Sequence, residues 1–189
     1  MKTKERILWV SLELFSQNGY DGTSMQMIAD AMELTKGAFY RHYTSKQDIF
    51  DHIILRMKEA AAERISITDL SSQSFDDLKN YILDQFRFWT EDPFASMFRR
   101  LLIIDQFRNP EMGALYQNWF GNMPLGGLED LFRDMMAGEL LRPTDPAALA
   151  LTLWAQFHFL LTRYDNLSDK ETVSSELVTV IESFITTYK

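Results

Sequence analysis

Cysteine is absent from the chain, and histidine occurs only three times. Disulfides and thiolate-held zinc or iron–sulfur clusters are therefore excluded. His42, His52 and His158 do not share the i, i+3 or i, i+4 spacing that sets two metal ligands on one helix face. The sequence also lacks a glycine-rich phosphate loop and a nucleophile elbow. The carboxylate pairs Asp76–Asp77 and Glu91–Asp92 fall at helix starts, where the helix dipole accounts for them. These absences argue against an enzyme and against any bound metal or cofactor.

Long apolar runs are equally scarce. Residues 146–162, "PAALALTLWAQFHFLLT", carry no formal charge, but Gln156 and His158 interrupt them and no second segment could pair with them in a bilayer. A buried helix is the expected outcome, with no membrane partner. The N-terminus, "MKTKERILWVSLELF", is broken by Glu5 and Glu13 and lacks a small-residue cleavage site, which argues against a signal peptide. A cytoplasmic location is expected.

Charge is unevenly placed within a total of −8. Residues 1–50 hold six Lys/Arg and six Asp/Glu, leaving 13 against 21 for the remainder. The acidity belongs to the C-terminal part, and the N-terminal segment escapes the repulsion that keeps acidic chains from polyanions.

Helix signals run throughout, and no alternating strand pattern occurs. A first helix is expected over residues 3–18, ended by Gly19. "TSMQ" at 23–26 places Thr23 as the cap of a short helix reaching about Met32. Thr35 caps another ending near Tyr43, and Ser45 with Asp48 opens a long one to about Ile67. "SFDD" at 74–77, Asp92–Pro93, Asn109–Pro110 and Asp145–Pro146 open later helices. Ser168 with Glu171 opens the last, ending near Tyr188, and "GNMPLGG" at 121–127 reads as an interruption. The expected fold is all-α with about nine helices. Residues 1–48 form a helix-turn-helix domain and residues 49–189 a second helical domain.

At about 100° per residue, Phe39 and Tyr43 share the inner face of the second short helix. Gly37, Tyr40 and Arg41 lie broadly opposite, flanked by Lys36 and His42. Such a helix fits a DNA major groove, with Gly37 allowing close backbone approach. Lys46 and the backbone amides capped by Thr23 would hold phosphates.

The stretch "IADAMELTKGAFYRHYTSKQDIF", with "ELFSQNGYDGTS" before it, resembles the DNA-binding domain of the TetR family of transcriptional regulators. Phe15, Gly19, Tyr20, Ile28, Ala29, Phe39, Tyr40, Tyr43 and Ile49 are among the matching positions. The resemblance implies that Thr35, Lys36, Gly37, Tyr40, His42 and Lys46 contact the backbone and groove of double-stranded operator DNA. One departure is Glu33, which stands at a turn position often held by glycine, with its carboxylate facing a site expected to meet phosphate.

Helix 145–164 is apolar nearly all round, with twelve apolar residues among the fifteen from Ala147 to Leu161. Leu177, Ile181 and Phe184 form a stripe on the last helix. These surfaces are either internal core or a homodimer interface of two helices per subunit, the arrangement TetR-like proteins use. Leu149, Leu153, Gln156, Leu160, Leu177, Ile181 and Phe184 are the candidates. Aromatic residues between the two parts are core or the lining of an apolar inducer pocket. The resemblance favours a pocket, with Phe86, Trp89, Phe98, Tyr116, Trp119, Phe120, Phe157 and His158 as candidates. A DNA-binding repressor released by a small-molecule ligand is the expected function. The rival is a helical small-molecule-binding protein whose helix-turn-helix no longer binds DNA.

Overall fold

The computed structural model describes residues 2–67 and 74–189. Among the described residues there are ten α-helices and no strand. They are α1 Thr3–Asn18, α2 Met25–Ala31, α3 Lys36–Tyr40, α4 Lys46–Ile67, α5 Phe75–Glu91, α6 Pro93–Asp105, α7 Pro110–Gln117, α8 Met123–Ala137, α9 Pro146–Asn166 and α10 Lys170–Tyr188.

The expected interruption at 121–127 is absent. A π-helical segment, Asn118–Asn122, joins α7 to α8 without a break, so the ten form nine continuous helices. Pro124 has no N–H for the Phe120 carbonyl four residues back, and that carbonyl accepts from the Trp154 indole instead. Neither Gly126 nor Gly127 leaves helical geometry.

Local chemistry explains most boundaries. Ser74 and Asp77 form a reciprocal capping box at α5. Asn109 accepts from the amides of Glu111 and Met112, and Asp145 accepts from that of Ala147. Two expected caps move by one residue. Ser24, not Thr23, receives the Met27 amide, and Asp169, not Ser168, receives that of Thr172. Helix α3 is also shorter than expected, ending at Tyr40 and continuing as a turn through His42.

The helices group into two compact units. The first comprises residues 2–67 and 93–113. Helix α1 is its axis, burying Ile7, Leu8, Leu12 and Phe15 and packing against α2, α4 and α6. The division is therefore not a single cut after residue 48. Helices α4 and α6 join the N-terminal helices because both pack on α1.

The second unit comprises residues 74–92 and 114–189. Its centre is α9, which packs against α5, α8 and α10. The Trp154 ring stacks on Phe157 with centroids 4.6 Å apart, and Phe157 meets Phe86 edge-on. The Trp154 indole donates to the Phe120 carbonyl of the π segment at 2.7 Å. Each such large side chain stabilises the unit by about 1.5–3 kcal/mol by leaving water.

Candidate nucleic-acid interface

Helices α2 and α3 are held inward by Ile28, Ala29, Met32 and Phe39, all buried, with Tyr43 sealing the end. The Tyr43 hydroxyl donates to the Lys4 carbonyl at 3.4 Å. Between the helices, Glu33 takes a left-handed φ of 55°, the conformation its place in the sequence implied. Thr35 then caps α3 by accepting from the Ala38 amide.

What α3 leaves outside is the cluster expected from the sequence. Lys36, Gly37, Tyr40, Arg41 and His42 are all exposed. A methyl group built at Gly37 would meet nothing within 4 Å, so the backbone there is open to a close approach. The Lys36 ammonium lies 5.9 Å from the Tyr40 ring centroid, a contact loose enough to exchange for phosphate. A five-residue helix aligns few peptide dipoles, so attraction for phosphate rests mainly on these side chains.

Two expected phosphate contacts prove to have internal work. Thr23 is buried, and its hydroxyl donates to the Leu14 and Gly19 carbonyls rather than facing outward. The Lys46 ammonium donates to the carbonyls of Tyr20, at 2.6 Å, and Thr23, at 3.0 Å, and sits 4.3 Å above the Tyr20 ring. That leaves one of its three N–H groups for an outside partner.

Sequence reasoning missed the other half of this junction. The buried Asp105 carboxylate, at the end of α6, accepts from the Tyr20 amide at 2.5 Å. Gly19 is required beside it. Its φ is +79°, and a Cβ there would come within 2.8 Å of an Asp105 oxygen. The Tyr20 backbone is thus held on both sides, its N–H donating to Asp105 and its carbonyl accepting from Lys46. No local sequence signal marks Asp105, because its partner lies 85 positions away.

Burial pushes the phenols of Tyr20 and Tyr43 up to about 12, with the nearby charges of Glu111 and Asp48 respectively adding to the rise. Both hydroxyls donate, Tyr20 to the Gln47 amide oxygen at 2.8 Å. A phenol with a raised folded pKa stabilises fully below its unfolded value of about 10 and loses that contribution as pH climbs toward 12. Denaturation midpoints are expected to hold steady from about pH 8 to 10 and then fall. Tyr20→Phe with Tyr43→Phe should flatten that fall, as read from chemical melts across the range.

Five of the expected ligand contacts, Phe86, Trp89, Trp119, Phe120 and Phe157, are buried in the second unit. Trp89 lies 4.6 Å from Phe120 and 6.1 Å from Trp119, ring centre to ring centre. Half-buried Tyr116 and His158 join the cluster, the hydroxyl 2.7 Å from Nε2. Phe98 is buried in the first unit. The rings pack on one another as core, so a ligand among them would have to displace side chains.

Of the expected dimer residues, Leu149, Leu153, Leu160, Leu177, Ile181 and Phe184 are buried within the chain itself, and only Gln156 is exposed. The open face of α9 carries Ala148, Leu151, Ala155 and Phe159 instead, with Leu151 58% and Phe159 61% exposed. Beside it lies a groove of about 900 Å³ lined by Phe159, Thr172, Ser175 and the paired Arg163 and Glu176. Among the described residues, no helix is long and apolar enough to cross a membrane.

Comparison with known proteins places this arrangement. The model of bacterial regulatory proteins, tetR family, matches residues 7–53. The transcriptional regulator UidR of Escherichia coli K12 is 29% identical over 120 residues, 61% of this chain and 58% of that protein. IcaR of Staphylococcus aureus strain Newman, the negative regulator of the biofilm operon icaADBC, is 28% identical over 98 residues, 52% of this chain and 53% of that protein. The chain thus spans little more than half the length of these relatives. In fold, it superposes on SmeT in complex with triclosan with a TM-score of 0.75 at 21% identity, over 98% of this chain and 91% of that one.

Proposed function

The chain belongs to the TetR family of bacterial regulatory proteins, and on that premise we propose that it is a homodimeric repressor that binds operator DNA through α3 and leaves it when a small molecule binds. One observation carries the reading. Helix α3 buries Phe39 and turns Lys36, Gly37, Tyr40, Arg41 and His42 outward together. We read the chain as a regulator rather than an enzyme, acting in the cytoplasm where the chromosome lies.

The test is fluorescence-anisotropy titration against DNA from upstream of the chain's own gene, with unrelated DNA alongside, at two salt concentrations. Contacts to Z phosphates release counterions, so affinity should fall with salt at a log–log slope of about −0.9Z. Saturable, salt-sensitive binding that prefers the upstream fragment supports the repressor. Binding absent at low salt favours a helical small-molecule-binding protein that no longer uses its helix-turn-helix.

For the ligand, the support is the aromatic cluster around Trp89, Phe120 and Phe157 with the Tyr116–His158 pair at its edge. An apolar, ring-bearing molecule with one hydrogen-bonding group fits that chemistry. SmeT has been captured with triclosan, and triclosan is a reasonable first probe, read by tryptophan fluorescence. A ligand that prefers the conformation with misplaced recognition helices shifts the population away from DNA, and about 1.4 kcal/mol of coupling gives tenfold weaker binding.

Dimerisation is assigned to the open stripe of α9. Leu151→Ala with Phe159→Ala removes its two largest apolar groups, each worth about 1 kcal/mol or more when buried in an interface. Dimer dissociation should strengthen at least about tenfold, as measured by sedimentation equilibrium, while the thermal midpoint of the monomer fold stays put. An unchanged dimer would place the interface elsewhere.

A further inference from the structure

Resting on the DNA-binding reading, we infer that Glu33 is an affinity-limiting residue: its unpaired carboxylate at the helix-turn-helix turn repels the phosphate backbone and weakens binding to DNA of any sequence. Three observations combine. Glu33 is a non-glycine residue at positive φ, held in place by a closed turn at the edge of the helix-turn-helix. It is exposed, and among the described residues nothing bonds to its carboxylate. Asp30, the neighbouring acid on α2, is instead engaged by the Gln26 side-chain amide at 2.7 Å. Finally, the segment from Met25 to Tyr43 holds two fixed cations, Lys36 and Arg41, against two acids, Asp30 and Glu33. A surface meant for phosphate is therefore electrically neutral, and Glu33 supplies the free half of the negative charge.

Distance makes the effect local. Glu33 precedes Lys36 by three positions, which a chain can separate by no more than about 10 Å. That is about one Debye length at 0.1 M salt, so phosphate bound near Lys36 would still feel the carboxylate. Hydrogen bonds from Glu33 to the Asp30 carbonyl and from Leu34 to the Ala29 carbonyl close the turn, which keeps the residue at this edge.

The structure also supplies a matched control. Glu139 is exposed, takes φ 61° and closes the same kind of turn after α8, in the other unit. Glu33→Gln and Glu139→Gln change the net charge equally at equivalent backbone positions. Full-length wild type, both glutamine variants and Glu33→Lys would be titrated against the upstream fragment and the unrelated duplex at two salt concentrations.

Glu33→Gln should bind both duplexes about two- to fivefold more tightly, Glu33→Lys more tightly still, and Glu139→Gln no differently from wild type. The gain should shrink at the higher salt. The inference is overturned if Glu33→Gln leaves affinity unchanged or lowers it, or if Glu139→Gln matches its gain. A gain confined to one sequence also overturns it, since that marks a base-reading role. Should wild type bind neither duplex while Glu33→Lys binds both, the limiting role stands and the repressor reading falls. If neither binds, both fall.

Discussion

Lys36→Ala combined with Arg41→Ala should lower DNA affinity about 30-fold or more, the sum of two contacts each worth about 1–3 kcal/mol. Stability should hardly change. Both side chains project into solvent, Lys36 from α3 and Arg41 from the turn after it, and neither reaches a buried group. Tyr40→Ala, a neighbour on the same surface, belongs in the same series. Lys46→Ala forms the contrast, because its ammonium ties the Tyr20 and Thr23 carbonyls, so its loss should appear in thermal midpoint as well as in DNA binding. Parallel anisotropy titrations and thermal melts separate the two classes. Full affinity in the Lys36/Arg41 variant would remove α3 as the contact surface.

The largest effect on stability is expected at Asp105. Replacing it with alanine deletes a charge-assisted hydrogen bond in a buried site and strands the Tyr20 amide, at about 2–3 kcal/mol. For a chain of this size each kcal/mol moves the midpoint by about 2–4 °C, so a fall of about 5–10 °C follows. Asp105→Asn keeps an acceptor oxygen and should recover much of the loss. Denaturant melts of the three proteins would decide. An alanine variant as stable as wild type would mean that the turn at 19–23 does not depend on α6. The same variant should also loosen α2, because Ser24 starts that helix immediately after the clamped turn.

The legible parts of this chain were those whose cause is local. Asn109 and Asp145 cap because each precedes a proline at a first helical position, a relation visible in two letters. Glu33 was expected to be left-handed because the family resemblance sets it at a turn position often held by glycine. The inward pair Phe39 and Tyr43 followed from helix geometry alone. Thr23 against Ser24 was different. Both can cap, and the choice depends on which one the fold buries. Lys46 read as a free cation because the carbonyls that hold it converge only in three dimensions. The apolar stripe of α10 was real, but a stripe does not say whether its cover is α5 and α9 or a second subunit. Helix α9 carries apolar residues on two faces, and sequence pattern could not tell which face the chain covers itself.

The π segment at Asn118–Asn122 has a consequence for how this gene can drift. A π turn amounts to one residue inserted into an otherwise regular helix. Loss of a single codon there would let α7 run into α8 as plain α-helix, and the following side chains would keep their faces, because the π turn already takes up the extra residue. Leu128, Phe132 and Met135, now buried, would stay against their neighbours. An in-frame deletion inside α8 itself has no π turn to absorb it and turns every following side chain by about 100° at once.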